Sequence, residues 1–155
     1  MITCDFCCLS AEDRKWLLYE NEYWLVFLAD KQDYPGRCIV AARAHRESLA
    51  QLTQTEWLSL KGITDALEQL LEAELGATLL NWSCLMNDAF KAAQPQPHVH
   101  FHVRPRYSSP ITLDGVYLSD DAFGHHYNNR REDKMDPADR ERLYQLLKQK
   151  VRLYF

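Results

Sequence analysis

The chain has 155 residues, a formal net charge of −4 and a sequence pI near 5.8, with 46% hydrophobic and 26% charged residues. That length supports one domain, spanning 1–155, with a sizeable core, and the mild acidity offers nucleic acid no global attraction, so any phosphate site must be local. No apolar run approaches the roughly 20 residues of a spanning helix, and the start, MITCDFCCLS, lacks a basic-then-apolar leader pattern; the expectation is a cytoplasmic protein with no membrane partner.

Five cysteines are an odd count, and Cys4, Cys7 and Cys8 crowd the N-terminus. In a reducing compartment such a cluster points to metal or to inert thiols rather than to disulfides. EYWLVFLA (22–29) reads as a buried strand and DKQDYPG as the turn after it. RCIVAA (37–42) then pairs back as a hairpin. Residues 53–76 carry the main helix. Thr53 and Glu56 have capping-box spacing, and Trp57, Leu60, Ile63, Leu67, Leu70, Leu71 and Leu75 recur at helical period before Gly76 as the C-terminal cap. TLLNWSCLM (78–86) and PHVHFHVRP (97–105) are further strands, separated by the loop NDAFKAAQPQ. After Arg106 the chain reads as irregular until Asp136, an N-cap followed by proline at the first helical position, and the stripe Leu143, Leu146, Leu147, Val151. Strands in this order around one central helix, with a second helix at the C-terminus, give an α+β class with a largely antiparallel sheet.

His98, His100 and His102 alternate with Val99, Phe101 and Val103. In a strand, alternate side chains share a face at about 7 Å spacing, so three imidazoles form a stripe opposite an apolar face. A solvent-facing edge or adventitious metal binding would explain one imidazole more easily than three in strict alternation on an apolar strand. A neutral imidazole can attack phosphorus, carry a proton or bind metal. A nucleophilic ring must present one lone pair, so its other nitrogen needs an acceptor that fixes the tautomer.

His98-Val99-His100-Phe101-His102-Val103 resembles the His-x-His-x-His signature, with x apolar, of the histidine triad (HIT) superfamily of nucleotide hydrolases and transferases. RPRY (104–107) is similar to the ending found in its dinucleoside polyphosphate hydrolases and in many bacterial members. CDFC and YPGRCIVAARAH (34–45) resemble family segments and occur in the family's order. The resemblance implies a HIT-like fold, a homodimer and a nucleotide substrate. It assigns His100 as the nucleophile and His102 to the α-phosphate and leaving group. It makes His98 an orienting group or, as in zinc-containing relatives, a metal ligand. It also implies that Asn87 and Gln94 bind the phosphate region and that Asp30, with Asp33 as the alternative, holds the ribose. Phe6, Phe27, Leu28 and Ile39 would line an apolar base pocket. Cys4, Cys7, His45 and His98 match the ligand set of a structural zinc, an ion that the proposed phosphorus chemistry does not require.

Three positions depart from the family pattern. Arg37 replaces a histidine, Pro95 stands where a hydroxyl residue is usual, and Arg104 occupies an apolar position. Either arginine could reach a polyphosphate chain or simply face solvent. His125, His126 and the RRED run read as loop and surface. The implied reaction is hydrolysis at the α-phosphorus of a dinucleoside polyphosphate such as diadenosine tetraphosphate, with nucleoside phosphoramidates next. A non-catalytic nucleotide-binding or zinc-stabilised interaction module and a nucleotidyltransferase are the alternatives.

Overall fold

The long helix, α2, runs Gln54–Leu75 in a computed structural model that describes residues 4–113 and 115–155. Its start is the reciprocal cap expected from the sequence: Glu56 N–H donates to Thr53 Oγ1 at 3.2 Å, and Thr53 N–H donates to the Glu56 carboxylate at 2.7 Å. It stops at Gly76, whose φ of 72° is left-handed and suits a residue without Cβ. Leu60, Ile63, Leu67, Leu70, Leu71 and Leu75 are buried. Trp57 departs from the expected stripe and is 42% exposed. The buried position beside it belongs to Glu56, whose carbonyl accepts the indole N–H of Trp24 at 2.9 Å and whose carboxylate pairs with Arg46.

A five-stranded antiparallel sheet packs on this helix in the order β1-β2-β3-β5-β4. Its strands are β1 (Leu17–Glu20), β2 (Trp24–Leu28), β3 (Cys38–Ala42), β4 (Leu79–Ser83) and β5 (His100–Arg106). The helix α2 carries the chain from β3 to the edge strand β4, and β5 returns between them. Strand alternation divides the side chains between two faces. Trp24, Val26, Leu28, Cys38, Val40, Ala42, Val99 and Val103 join the α2 leucines in one core. The opposite face runs through the cross-strand row Phe27, Ile39, His102 and Ser83.

The stretch beyond Arg106, read from sequence as irregular, contains a small hairpin, β6 (Ile111–Leu113) with β7 (Val116–Leu118). Three-residue strands are too short to show a period. The same limit hid the one-turn helix α1 (Ala11–Arg14) and β1. The C-terminal helix α3 (Pro137–Lys150) begins on Asp136, whose carboxylate accepts the Asp139 N–H at 2.8 Å, and buries Leu143 and Leu147. In the RRED run, the surface reading fails for two residues. The Asp133 carboxylate accepts the Gln32 N–H at 2.7 Å, and Arg131 lies over the Tyr34 ring. No helix among the described residues is long and apolar enough to cross a membrane.

Candidate active site and metal cluster

The three histidines are held by different partners, and those partners assign their protons. His98 precedes β5 but is locked by its neighbours. Val99 N–H donates to Arg46 O at 2.7 Å, and Ala42 N–H donates to Val99 O at 3.0 Å. Nε2 of His98 lies 2.7 Å from Ala42 O, so it carries the proton and leaves Nδ1 with a lone pair. His100 is the reverse: Nδ1 donates to His98 O at 2.8 Å, so Nε2 presents the lone pair. His102 has Nδ1 at 3.3 Å from Nη2 of Arg37. Burial lowers the pKa of all three; for His102, burial, then His100, then Arg37 and Arg104 push it down to about 4. All three rings line one cleft of about 380 Å³.

The lone pair of His98 Nδ1 points into a cluster that the sequence placed only by resemblance. Cys4 Sγ is 3.2 Å away, Cys7 Sγ 3.6 Å and His45 Nδ1 3.2 Å, and all four ligand atoms lie within 4.8 Å of one another. A tetrahedron with metal–sulfur bonds of about 2.3 Å and metal–nitrogen bonds of about 2.0 Å has edges of roughly 3.3–3.8 Å. The donor set and spacing therefore fit a four-coordinate zinc with all positions taken by protein. His45 also turns Nε2 toward the Glu47 carboxylate at 3.8 Å, an outer partner of the kind that orients metal-bound imidazoles. Cys7 and Cys8 N–H both donate to Cys4 O at 3.0 Å, which makes the tight turn that brings the thiols together. Without metal, burial and then Cys4 push the Cys7 thiol up to about 11. Cys8 is exposed and outside the cluster.

Between the two cysteines, Phe6 stacks on His98 at 5.3 Å and on His100 at 4.8 Å. It also walls a second hollow of about 320 Å³, lined by Phe27, Leu28, Ile39 and Asp30. The four apolar residues named from sequence thus share one hollow with Asp30, joined to the histidine cleft through Asp5 and Phe6. Gln94 lines the histidine cleft. Asn87 is exposed at the start of the short turn Asn87–Lys91, and the lining residue there is its neighbour Asp88.

Arg37 and Asp33 are buried and bonded to each other at 2.9 Å, one layer behind His102, and neither lines the cleft or the hollow. Arg104, expected at phosphate or in solvent, is 5% exposed, sits 3.8 Å from Asp33 and lies beneath the Tyr127 ring at 4.3 Å. His125 and His126 are exposed and line neither space. Sequence reasoning passed over Asp88 and Gln96, both cleft-lining; their proximity to the triad in the chain was the available signal.

The HIT domain family model matches residues 10–109, and the chain belongs to the HIT family. An uncharacterized HIT-like protein of Methanocaldococcus jannaschii is 30% identical over 106 residues, 67% of this chain and 79% of its own. A zinc-bound histidine triad family protein from Mycobacterium smegmatis has the same fold, with a TM-score of 0.61 at 21% identity over 97% of this chain and 94% of that one. Plasmodium falciparum diadenosine triphosphate hydrolase, solved with cyclomarin A, gives 0.62 at 16% identity over 92% and 80%.

Proposed function

We propose that the protein is a nucleotide hydrolase that cleaves at the α-phosphorus through a nucleotidyl-His100 intermediate. The observation that carries this reading is the His100 Nδ1–H bond to His98 O at 2.8 Å, which leaves Nε2 as a lone pair at the cleft. The base occupies the hollow of Phe6, Phe27, Leu28 and Ile39, with the ribose against Asp30. The α-phosphate lies between His100 and His102, and Gln94 serves the phosphate chain. Nε2 attacks phosphorus and expels the leaving group; water then releases the nucleoside monophosphate and returns the lone pair to His100. Dinucleoside polyphosphates are the favoured substrates, in line with the activity named for the Plasmodium falciparum relative.

Cys4, Cys7, His45 and His98 hold a structural zinc in this reading. With every ligand position filled by protein, the ion organises the turn bearing Phe6 and leaves the phosphorus chemistry to His100. A homodimer and a cytoplasmic setting belong to the same proposal, since reduced thiols need a reducing compartment and β4 is an edge strand with Leu79 44% exposed. Incubating the protein with diadenosine tetraphosphate labelled at the α-phosphorus should trap label on His100 after an acid-free quench. His100→Gly should lose both the adduct and turnover. Undiminished turnover by His100→Gly would end the proposal.

A further inference from the structure

We propose that Arg37 makes this site selective for phosphoric anhydrides over phosphoramidates, by holding His102 as a neutral ring whose one proton faces the cleft. The inference rests on the hydrolase reading above and narrows its leaving group.

A guanidinium has donors and no acceptor. At 3.3 Å, Nη2 of Arg37 can therefore only donate to Nδ1 of His102, and the ring's proton must sit on Nε2. Asp33 fixes the guanidinium by accepting from Nη1 at 2.9 Å, with the two side chains 10% and 0% exposed. A second proton on His102 would set N–H against N–H at Nδ1. It would also add a cation beside Arg37, which immediately precedes β3, and Arg104 from β5. His100 on β5, Asp30 after β2 and Asp88 from the 87–91 turn complete the charged and titratable groups around the ring. Burial first, then His100, then the two arginines push the ring's pKa down to about 4 against the pull of Asp30.

No other described group lining the cleft replaces that missing acid. Cys4 and His98 belong to the metal cluster, and the Nδ1–H of His100 is held by a carbonyl. Asp88 is kept ionised by Lys91 at 2.5 Å, and Asp5 sits at the junction with the second hollow. Gln94 and Gln96 offer amides, and the remaining lining side chains are hydrocarbon or thioether. Position 95 is proline, with neither a hydroxyl nor an N–H.

Leaving-group chemistry then divides the two substrate classes. Attack by His100 Nε2 forms a P–N bond and breaks the bond to the leaving group. In an anhydride the electron pair departs on a phosphate oxygen that is stable as an anion, and the Nε2–H of His102 stabilises it by a hydrogen bond without proton transfer. In a phosphoramidate the pair would depart on an amine nitrogen, which must take up a proton in the same step. Neutral His102 could deliver one only by becoming an imidazolate.

The test compares kcat/KM for diadenosine tetraphosphate and adenosine 5′-phosphoramidate in the wild type across pH 5.5–8. Positioned general acids contribute about 10²–10⁴-fold, so the anhydride should lead by a ratio of that order. The titration of His100 affects both substrates and cancels in the ratio. Arg37→Gln, with Asp33 still paired to Arg104 at 3.8 Å, should raise the relative phosphoramidate rate at least about tenfold and give it an acid limb. Comparable wild-type rates on the two substrates, or a ratio unmoved in the variant, would overturn the inference. Turnover of neither substrate would remove the hydrolase reading and this inference with it. Two-bond ¹⁵N–¹H spectra of the wild type need neither turnover nor a variant. They should show His102 neutral and protonated on Nε2 over pH 5–8, and a proton on Nδ1 or a titration near the ordinary histidine value would refute the assignment.

Discussion

Asp120→Asn probes the lock that holds the segment after β7 against the histidine-bearing face. Arg106, two residues beyond Arg104 on the same face of β5, donates from Nε to Asp120 Oδ2 at 2.6 Å and from Nη2 to Oδ1 at 3.2 Å. Its remaining donors go to Ala122 O at 2.8 Å, His125 O at 2.9 Å and Asn81 Oδ1 at 3.1 Å. The paired side chains are 3% and 1% exposed. The amide keeps the shape of the carboxylate but removes its charge, so Arg106 retains neutral acceptors and loses its counter-ion. Breaking one side of a buried ion pair costs about 3–5 kcal/mol. For a chain of this length, at about 2–4 °C per kcal/mol, the melting temperature should drop by roughly 6–20 °C. Urea titration followed by circular dichroism should show a lower midpoint at constant slope. Asp65→Asn is the control, because its partner Lys61 and Asp65 itself are 69% and 51% exposed and such pairs are worth about 0.2–1 kcal/mol. A loss at Asp120 no larger than at Asp65 would refute the account of the lock.

Two further outcomes follow from the titrating groups. His102 has its folded pKa depressed to about 4 from 6.5, so the folded state binds fewer protons than the unfolded one between those values. The protein should be at full stability above pH 6.5 and lose it progressively down to pH 4; thermal melts should show this, His102→Gln should flatten the slope, and an unchanged slope in that variant would refute the assignment. Zinc uptake at pH 7 should release protons, because the metal-free Cys7 thiol is pushed up to about 11 and only the thiolate ligates. Calorimetry in buffers of different ionisation heat measures the release. Cys4→Ser should bind zinc substoichiometrically, and full retention of the ion by that variant would rule out the cluster.

Local patterns were legible wherever the physics is local. Thr53 and Glu56 announced the start of α2, since a cap involves residues three apart, and Gly76 announced its end. The alternation of His98, His100 and His102 put three rings on one face, since successive strand side chains point opposite ways. Family resemblance added the expected roles and the expected zinc ligand set. The tertiary structure decided what depends on chain path. Cys4 lies 94 residues from His98, yet their ligand atoms are 3.2 Å apart. Arg37 reaches His102 across 65 residues, because Ile39 of β3 pairs with His102 and aligns the two strands. Asp120 meets Arg106 only after the intervening hairpin has turned the chain back. No period or cap encodes such contacts; the proton of His100 is placed by the carbonyl two residues before it, whereas those of His98 and His102 are placed by Ala42 and Arg37 from across the sheet. Three equivalent letters in the sequence are thereby one imidazole facing the two cysteines, one bonded to a backbone carbonyl with its other nitrogen free, and one bonded to a guanidinium.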